Sequence, residues 1–194
     1  FVVTSATVLL AFFGGLDRPG TESDVLEGPL RVACENAAVS FADRGVRASA
    51  IRLPPVVHSS LDTAGFVPTL IGIARGNKAM GMVGDGSNRW PAVHTLDAAR
   101  LYRLALESGA AGARYHAVAE EGVPYRQVAE RLSKILDLPV VSVDPGAASD
   151  HFGPMADFVS MDNPTSSDAT RNQLDWTPEH PDLLTDLALP HYAS

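Results

Sequence analysis

Cysteine is almost missing from this chain. Cys34 stands alone among 194 residues, so no intrachain disulfide can form and no cysteine-rich zinc site is available, a usage that suits a reducing cytoplasm. Positive charge is scarce as well. Against 23 Asp and Glu there are 15 Lys and Arg, a formal net charge of -8, and such a surface repels phosphate backbones and anionic lipid, which argues against nucleic acid and membrane as partners. No apolar run reaches membrane length: the opening stretch, residues 1–13, falls short of the about 20 residues a spanning helix needs, and no basic segment precedes it as in a secretory leader. Repeats and low-complexity tracts are absent, and no His, Asp or Glu spacing suggests a metal. There is no initiator methionine, and a chain that opens inside an apolar strand is expected to have lost something upstream.

What is present is ordinary globular composition. Hydrophobic residues make up 45% and charged residues 20%, enough for one sizeable core and a small additional lobe. Residues 1–5 form a β-branched run without alternation, the pattern of a parallel strand covered on both faces. A loop rich in Gly, Asp and Pro follows at 14–28. A helix then starts at Pro29, with Leu30, Cys34, Ala37, Ala38 and Phe41 as its expected inner face and Gly45 as its end. A second strand at 46–53 closes on Pro54 and Pro55, which completes a βαβ unit. Helices are expected at 65–75, 96–108, 125–136, 147–159, 167–174 and 181–187, and strands at 79–83, 92–94, 115–119 and 139–143. The alternation predicts an α/β fold.

The residues resemble a known family, the extended and atypical short-chain dehydrogenases/reductases of the NAD-dependent epimerase/dehydratase kind. Val3-Thr4-Ser5-Ala6-Thr7-Val8 resembles the end of the family strand whose serine holds the substrate oxygen. Ile51-Arg52-Leu53-Pro54-Pro55-Val56-Val57 resembles the strand and loop that lie against the nicotinamide. Gly84-Asp85-Gly86, then Trp90-Pro91-Ala92-Val93-His94-Thr95-Leu96-Asp97, resembles the Gly-Asp-Gly and Val-His-Val-Asp-Asp stretch, and Arg171-Asn172-Gln173-Leu174-Asp175-Trp176-Thr177-Pro178 resembles the closing Arg-x-x-Leu-Gly-Trp-x-Pro. The resemblance implies a partial Rossmann-like parallel sheet with helices plus a small C-terminal α/β substrate lobe. Residues 1–60 would be the remaining C-terminal part of the Rossmann-like domain, and 61–194 lobe segments interleaved with returning strand and helix elements.

The family's glycine turn for the pyrophosphate is missing, since Gly81, Gly84 and Gly86 fall between two expected strands rather than opening a helix. So is its Tyr-x-x-x-Lys pair: the first tyrosine is Tyr102 and the first lysine Lys78, while Glu27 and Arg31 stand near the places of the pair. Arginine supplies charge and hydrogen bonds there but does not shuttle protons. By resemblance, Ser5 and Arg31 are the catalytic candidates, and Thr4, Ser5, Arg31, Pro54, Pro55, Val56 and Val57 the contacts for NAD or NADP. His58, Arg89 and Trp90 are the candidates for a small-molecule substrate. Each has a plainer alternative: a serine satisfying its own loop, a solvated arginine, a strand terminator, a structural histidine, a tryptophan packed under a turn. Asp97 and Asp182 read as carboxylates at helix starts. A Ser/His/Asp hydrolase is disfavoured because Ser5 lacks the Gly-x-Ser-x-Gly elbow. The resulting expectation is an atypical NAD(P)-dependent oxidoreductase or epimerase-like protein. A non-catalytic NAD(P)-binding sensor and an inert fragment that binds no cofactor are the alternatives. Weak or absent cofactor binding by this chain alone is expected, with self-association through an exposed sheet edge around residues 1–3.

Overall fold

The computed structural model describes residues 1–192; residues 193 and 194, where the second expected unit ends, lie outside the described residues. Three strands form the first sheet: β1 (Val2–Ala6), β2 (Ser49–Leu53) and β6 (Arg114–His116), all parallel and in the order β1-β2-β6. Between β1 and β2 run α1 (Val8–Phe13) and α2 (Leu30–Ser40). The β1, α2, β2 succession is the expected βαβ unit. Among the described residues β1 pairs with β2 only, so its other edge has no strand partner.

Alternation along β1 divides its side chains between two layers. Ser5 faces α2, where its hydroxyl meets Glu35. Thr4 faces the opposite layer, where it meets Tyr102 of α4 (Thr95–Ser108). On that second face Ile51, Leu101, Tyr115 and Trp176 close an apolar core between the sheet, α4 and α8 (Asp168–Leu174).

The register expected for α2 is wrong by a face. Val32, Glu35 and Val39 are its buried residues, while Leu30 is 81% exposed and Cys34 and Phe41 also face solvent. The reason is electrostatic: buried Glu35 meets two arginines under the sheet, and that pairing sets the helix rotation that an apolar count assigns to Leu30 and Phe41. Gly45, at φ 78, then turns the chain out of the short helical turn that extends α2, a conformation open to glycine at no steric cost.

The remaining elements build the lobe. β3 (Val56–His58), β5 (Arg89–His94) and β7 (Glu120–Pro124) make a mixed sheet in the order β3-β5-β7, and β4 (Met80–Val83) pairs in parallel with β8 (Val140–Val143). Around them lie α3 (Phe66–Asn77), α5 (Tyr125–Leu136), α6 (Ala148–Phe152), α7 (Ala156–Ser160) and α9 (Leu183–Asp186). Trp90, Tyr125, Leu70 and Leu132 are wholly buried in this lobe; burial of each side chain of that size contributes about 1.5–3 kcal/mol. Among the described residues no helix is long and apolar enough to cross a membrane.

Candidate functional site

Parallel α/β sheets place ligands outside the carboxyl ends of their strands, and β1 delivers the chain to such a place. Past Ala6, Thr7 bonds its backbone N–H to the Leu53 carbonyl at 2.9 Å and accepts from Asn163 Nδ2 at 3.0 Å through its hydroxyl. α1 then leads into the 14–28 loop, which is fastened from several sides. Gly20 donates to the Pro164 carbonyl at 2.9 Å and accepts from Ser166 at 2.8 Å. The Glu22 carboxylate accepts from the Thr170 backbone and hydroxyl at 2.8 and 2.6 Å. Glycine at position 20 suits this close approach, since a Cβ there would lie 2.7 Å from Leu10 Cδ1.

Between α1, this loop and residues 162–164 lies a cavity of about 310 Å3, lined among others by Leu10, Asp17, Arg18, Arg89, Asp162 and Asn163. Its two guanidiniums are both paired. Arg89 donates to Asp162 through Nε at 3.0 Å and Nη2 at 2.7 Å, and its backbone N–H donates to the same carboxylate at 2.7 Å. Arg18 donates to Asp24 through Nη1 at 3.0 Å and Nη2 at 2.6 Å. The Arg18 hydrogen bond holds the Asp24 carboxyl at about 2 against the opposing effect of burial, and Arg89 likewise lowers Asp162.

Behind the end of β1 sits a buried ionic cluster. Glu35 accepts from Ser5 Oγ at 2.5 Å, from Arg52 at 2.6 and 3.1 Å and from Arg114 at 2.7 Å. Burial pushes the Glu35 carboxyl up, but the hydrogen bonds and charge of Arg52, with Ser5 and Arg114, outweigh it and leave it below its ordinary value. His116 completes the cluster: its Nδ1–H donates to the Ser166 carbonyl at 2.7 Å, and its Nε2 faces Arg52 Nη1 at 3.3 Å.

The structure divides the residues singled out in the sequence. Ser5 is buried and its hydroxyl is engaged by Glu35. Thr4 points through the other face of the sheet and bonds Tyr102 at 2.7 Å, so the two side chains do not converge. Arg31 is exposed in the first turn of α2, as is Glu27 before it, and neither makes a hydrogen bond or ion pair among the described residues. Pro54 and Pro55 link β2 to β3, where Val56 and Val57 pair with Ala92 and Val93 as strand rather than loop.

Of the substrate candidates, Arg89 lines the cavity. Trp90 is wholly buried, its Nε1–H donating to the Phe158 carbonyl at 3.1 Å. His58 is wholly buried and bonded to Asp186 at 2.9 Å. It pairs in register with His94, five residues beyond Arg89 on β5, which places it roughly 17 Å from Arg89 along the strand at about 3.3 Å per residue. Asp97 does more than begin a helix. His94 caps α4, and the Asp97 carboxylate holds the C-terminal segment through Glu179 N–H, His180 N–H and His180 Nδ1 at 3.0, 3.0 and 2.9 Å. Asp182 caps α9 as its position suggested.

Sequence reasoning missed Arg18, Asp24, Asp162, Glu35 and Arg52. Only Glu35 carried a signal, a carboxylate four residues beyond Arg31 on the same helix. The others meet across 6 to 73 residues of chain. Among the described residues no group of three or more His, Cys, Asp or Glu could hold a metal ion.

No family model matches the chain. An uncharacterised protein of Schizosaccharomyces pombe is 48% identical over 193 residues, spanning 98% of this chain and 64% of that protein. One of Saccharomyces cerevisiae is 45% identical over 158 residues, spanning 81% and 53%. The chain thus spans less than two thirds of the length of either. A UDP-glucose 4-epimerase of Corynebacterium glutamicum is 30% identical over 133 residues, 62% of this chain and 37% of the enzyme. Among solved structures, the dTDP-glucose 4,6-dehydratase DesIV of Streptomyces venezuelae, with NAD bound, superposes with a TM-score of 0.71 at 19% identity, covering 96% of this chain and 57% of the dehydratase. RMD of Pseudomonas aeruginosa, complexed with NADPH, gives 0.71 at 18% identity, covering 100% and 66%. The chain therefore has the Rossmann-like α/β fold of these solved structures.

Proposed function

We propose that this chain is the substrate-side part of an atypical NAD(P)-dependent oxidoreductase or epimerase-like protein, which holds a small organic substrate in the cleft between α1, the 14–28 loop and Arg89. The observation that carries the reading is that the cleft is lined by α1 and the loop after it, the segment that follows the carboxyl end of parallel strand β1, the side on which this class of fold places its ligands.

The described residues do not fit a whole dinucleotide. A pyrophosphate needs free backbone N–H groups at a glycine-opened helix start. β1 enters α1 through Thr7, and β5 enters α4 through His94. α3 does begin at a glycine, Gly65, but its N–H already donates to the Asp62 carboxylate at 2.8 Å, and that charge repels phosphate. The phosphate grip is therefore assigned to residues outside this chain. Thr4, Ser5, Arg31, Pro54, Pro55, Val56 and Val57 remain the candidates for the nicotinamide side. No step through the cofactor follows from these residues, and Glu35, held ionised by Arg52, is a poor proton acceptor.

A second reading, an NAD(P)-binding sensor without turnover, is favoured by one observation. Glu27 and Arg31, at the places of the missing Tyr and Lys, are solvent-exposed, and the Ser5 hydroxyl is bonded to Glu35 instead. Titration with NADH and NADPH, followed by nicotinamide fluorescence, separates the readings. Saturable binding is expected for a chain extended upstream to the length of the S. pombe relative, and weak or absent binding for the 194-residue chain. Tight binding by the shorter chain would refute the assignment of the phosphate grip. Hydride transfer to carbonyl compounds by the longer chain supports the enzyme, binding without transfer supports the sensor, and no binding by either rejects both.

Self-association belongs to the same proposal. The outer edge of β1 has no strand partner among the described residues, and Phe1 beside it is 68% exposed, so unpaired backbone groups adjoin apolar surface. Sedimentation of the 194-residue chain is expected to be concentration-dependent; a single monomeric boundary at all concentrations would contradict this.

A further inference from the structure

The cleft's charge balance and its size together restrict what it can hold. We infer that it takes an uncharged polyhydroxylated compound of monosaccharide size and discriminates against phosphorylated and nucleotide-linked forms of the same compound. The inference rests on the cleft being the substrate site proposed above.

Size comes first. A volume of about 310 Å3 lies at the lower end of the roughly 300–1,000 Å3 of small-molecule pockets, which suits one small ring rather than a ring joined to a nucleoside diphosphate.

Charge points the same way. Two guanidiniums in a cleft would ordinarily read as an anion site. Here Arg89 is held by Asp162 and Arg18 by Asp24, each through two nitrogens. Asp17, exposed beside Arg18 on the cleft wall, has no ion pair among the described residues. The lining thus sets two cations against two carboxylates, Asp17 and Asp162, while Asp24 pairs with Arg18 from outside the lining, so the cleft has no net positive charge to draw a phosphate.

Exposed ion pairs are weak, so an incoming phosphate competes with Asp162 for Arg89. The geometry opposes this exchange. Asp162 is also held by the Arg89 backbone N–H at 2.7 Å, so a side-chain swing to phosphate would leave the carboxylate in place against the new anion. Uncharged oxygens meet no such repulsion. Arg89 Nη1 and Arg18 Nε make no hydrogen bond among the described residues, which leaves N–H donors for hydroxyl or carbonyl oxygens. The carboxylates accept from hydroxyls in return, and the apolar carbon of α1 covers the C–H face of a ring.

Saturation-transfer NMR on the 194-residue chain tests the inference without any dinucleotide, so its outcome is independent of whether NAD(P) binds. The probes are D-glucose, D-glucose 6-phosphate and uridine diphosphate. Transfer to glucose is expected, with the two phosphates binding about tenfold or more weakly because of the carboxylates they must approach. Arg89→Ala should abolish transfer to glucose, and Arg18→Gln should reduce it. Asp162→Asn, which frees a guanidinium, should reverse the preference towards the phosphates. Equal or tighter binding of either phosphate by the parent chain overturns the inference. So does the absence of glucose transfer, or transfer that survives Arg89→Ala.

Discussion

Replacing Glu35 by alanine is expected to cost about 3–5 kcal/mol of unfolding free energy, a large share of the roughly 5–15 kcal/mol that holds a typical domain together. The carboxylate is the common acceptor for Ser5, Arg52 and Arg114. Arg52 is wholly buried in the middle strand of the parallel sheet, so its guanidinium cannot turn to water when its partner is gone. The Asp24 carbonyl, which accepts from Arg52 Nη2 at 2.9 Å, would remain, but a carbonyl does not neutralise a buried charge. Ser5→Ala removes one hydrogen bond and no charge, and about 1 kcal/mol is expected for it. Urea unfolding with an unchanged slope checks both values. A Glu35→Ala midpoint close to that of Ser5→Ala would show that Arg52 is screened in some other way.

Glu35 also marks the limit of what the sequence displays. Strand and helix order is legible because it is written locally: α5 occupies the stretch its apolar period indicates, and the βαβ unit forms between the expected segments. β3 and β7 escape notice because three to five residues flanked by proline carry no period. α2 is found but turned by a face, since an apolar count cannot foresee that a glutamate will be buried by arginines 17 and 79 residues further on. The cleft shows the same division. Arg89 is visible beside its Gly-Asp-Gly turn, whereas Asp162, which decides what Arg89 can bind, lies 73 residues away with no local mark. Trp90 and His58 look available in sequence because polar tips on aromatic rings attract functional readings; inside the core the Trp90 indole N–H is taken by a distant backbone carbonyl and His58 Nδ1 by the distant Asp186 carboxylate.

Acidification from neutrality is expected to destabilise the fold well before the carboxylates titrate, and His116 is the principal cause. Burial, reinforced by the Arg52 charge, lowers its pKa from 6.5 to about 4 against the attraction of Glu22 and Glu35. The neutral ring is fixed as the Nδ1–H tautomer, with Nδ1–H given to Ser166 and Nε2 turned to Arg52, so a second proton would set an imidazolium against a guanidinium. A histidine with a depressed folded value binds more protons when unfolded. Its contribution is therefore complete above 6.5 and is lost as the pH falls towards 4. At about 1.36 kcal/mol per unit the full loss is on the order of 3 kcal/mol, of which about 2 kcal/mol is gone by roughly pH 5. His58 and His94, both lowered chiefly by burial, act in the same direction. Asp62 and Glu120, raised by burial, oppose it as the pH falls through their raised values, and Asp24 adds its own loss between 3.8 and about 2. His116→Gln isolates the effect from all of these. The variant should be less stable than the parent at neutral pH, and the gap should shrink by about 2 kcal/mol between roughly pH 7 and 5, since only the parent carries the linked proton. Parallel stability profiles for the two chains would show that the imidazole is not held neutral by its burial against Arg52.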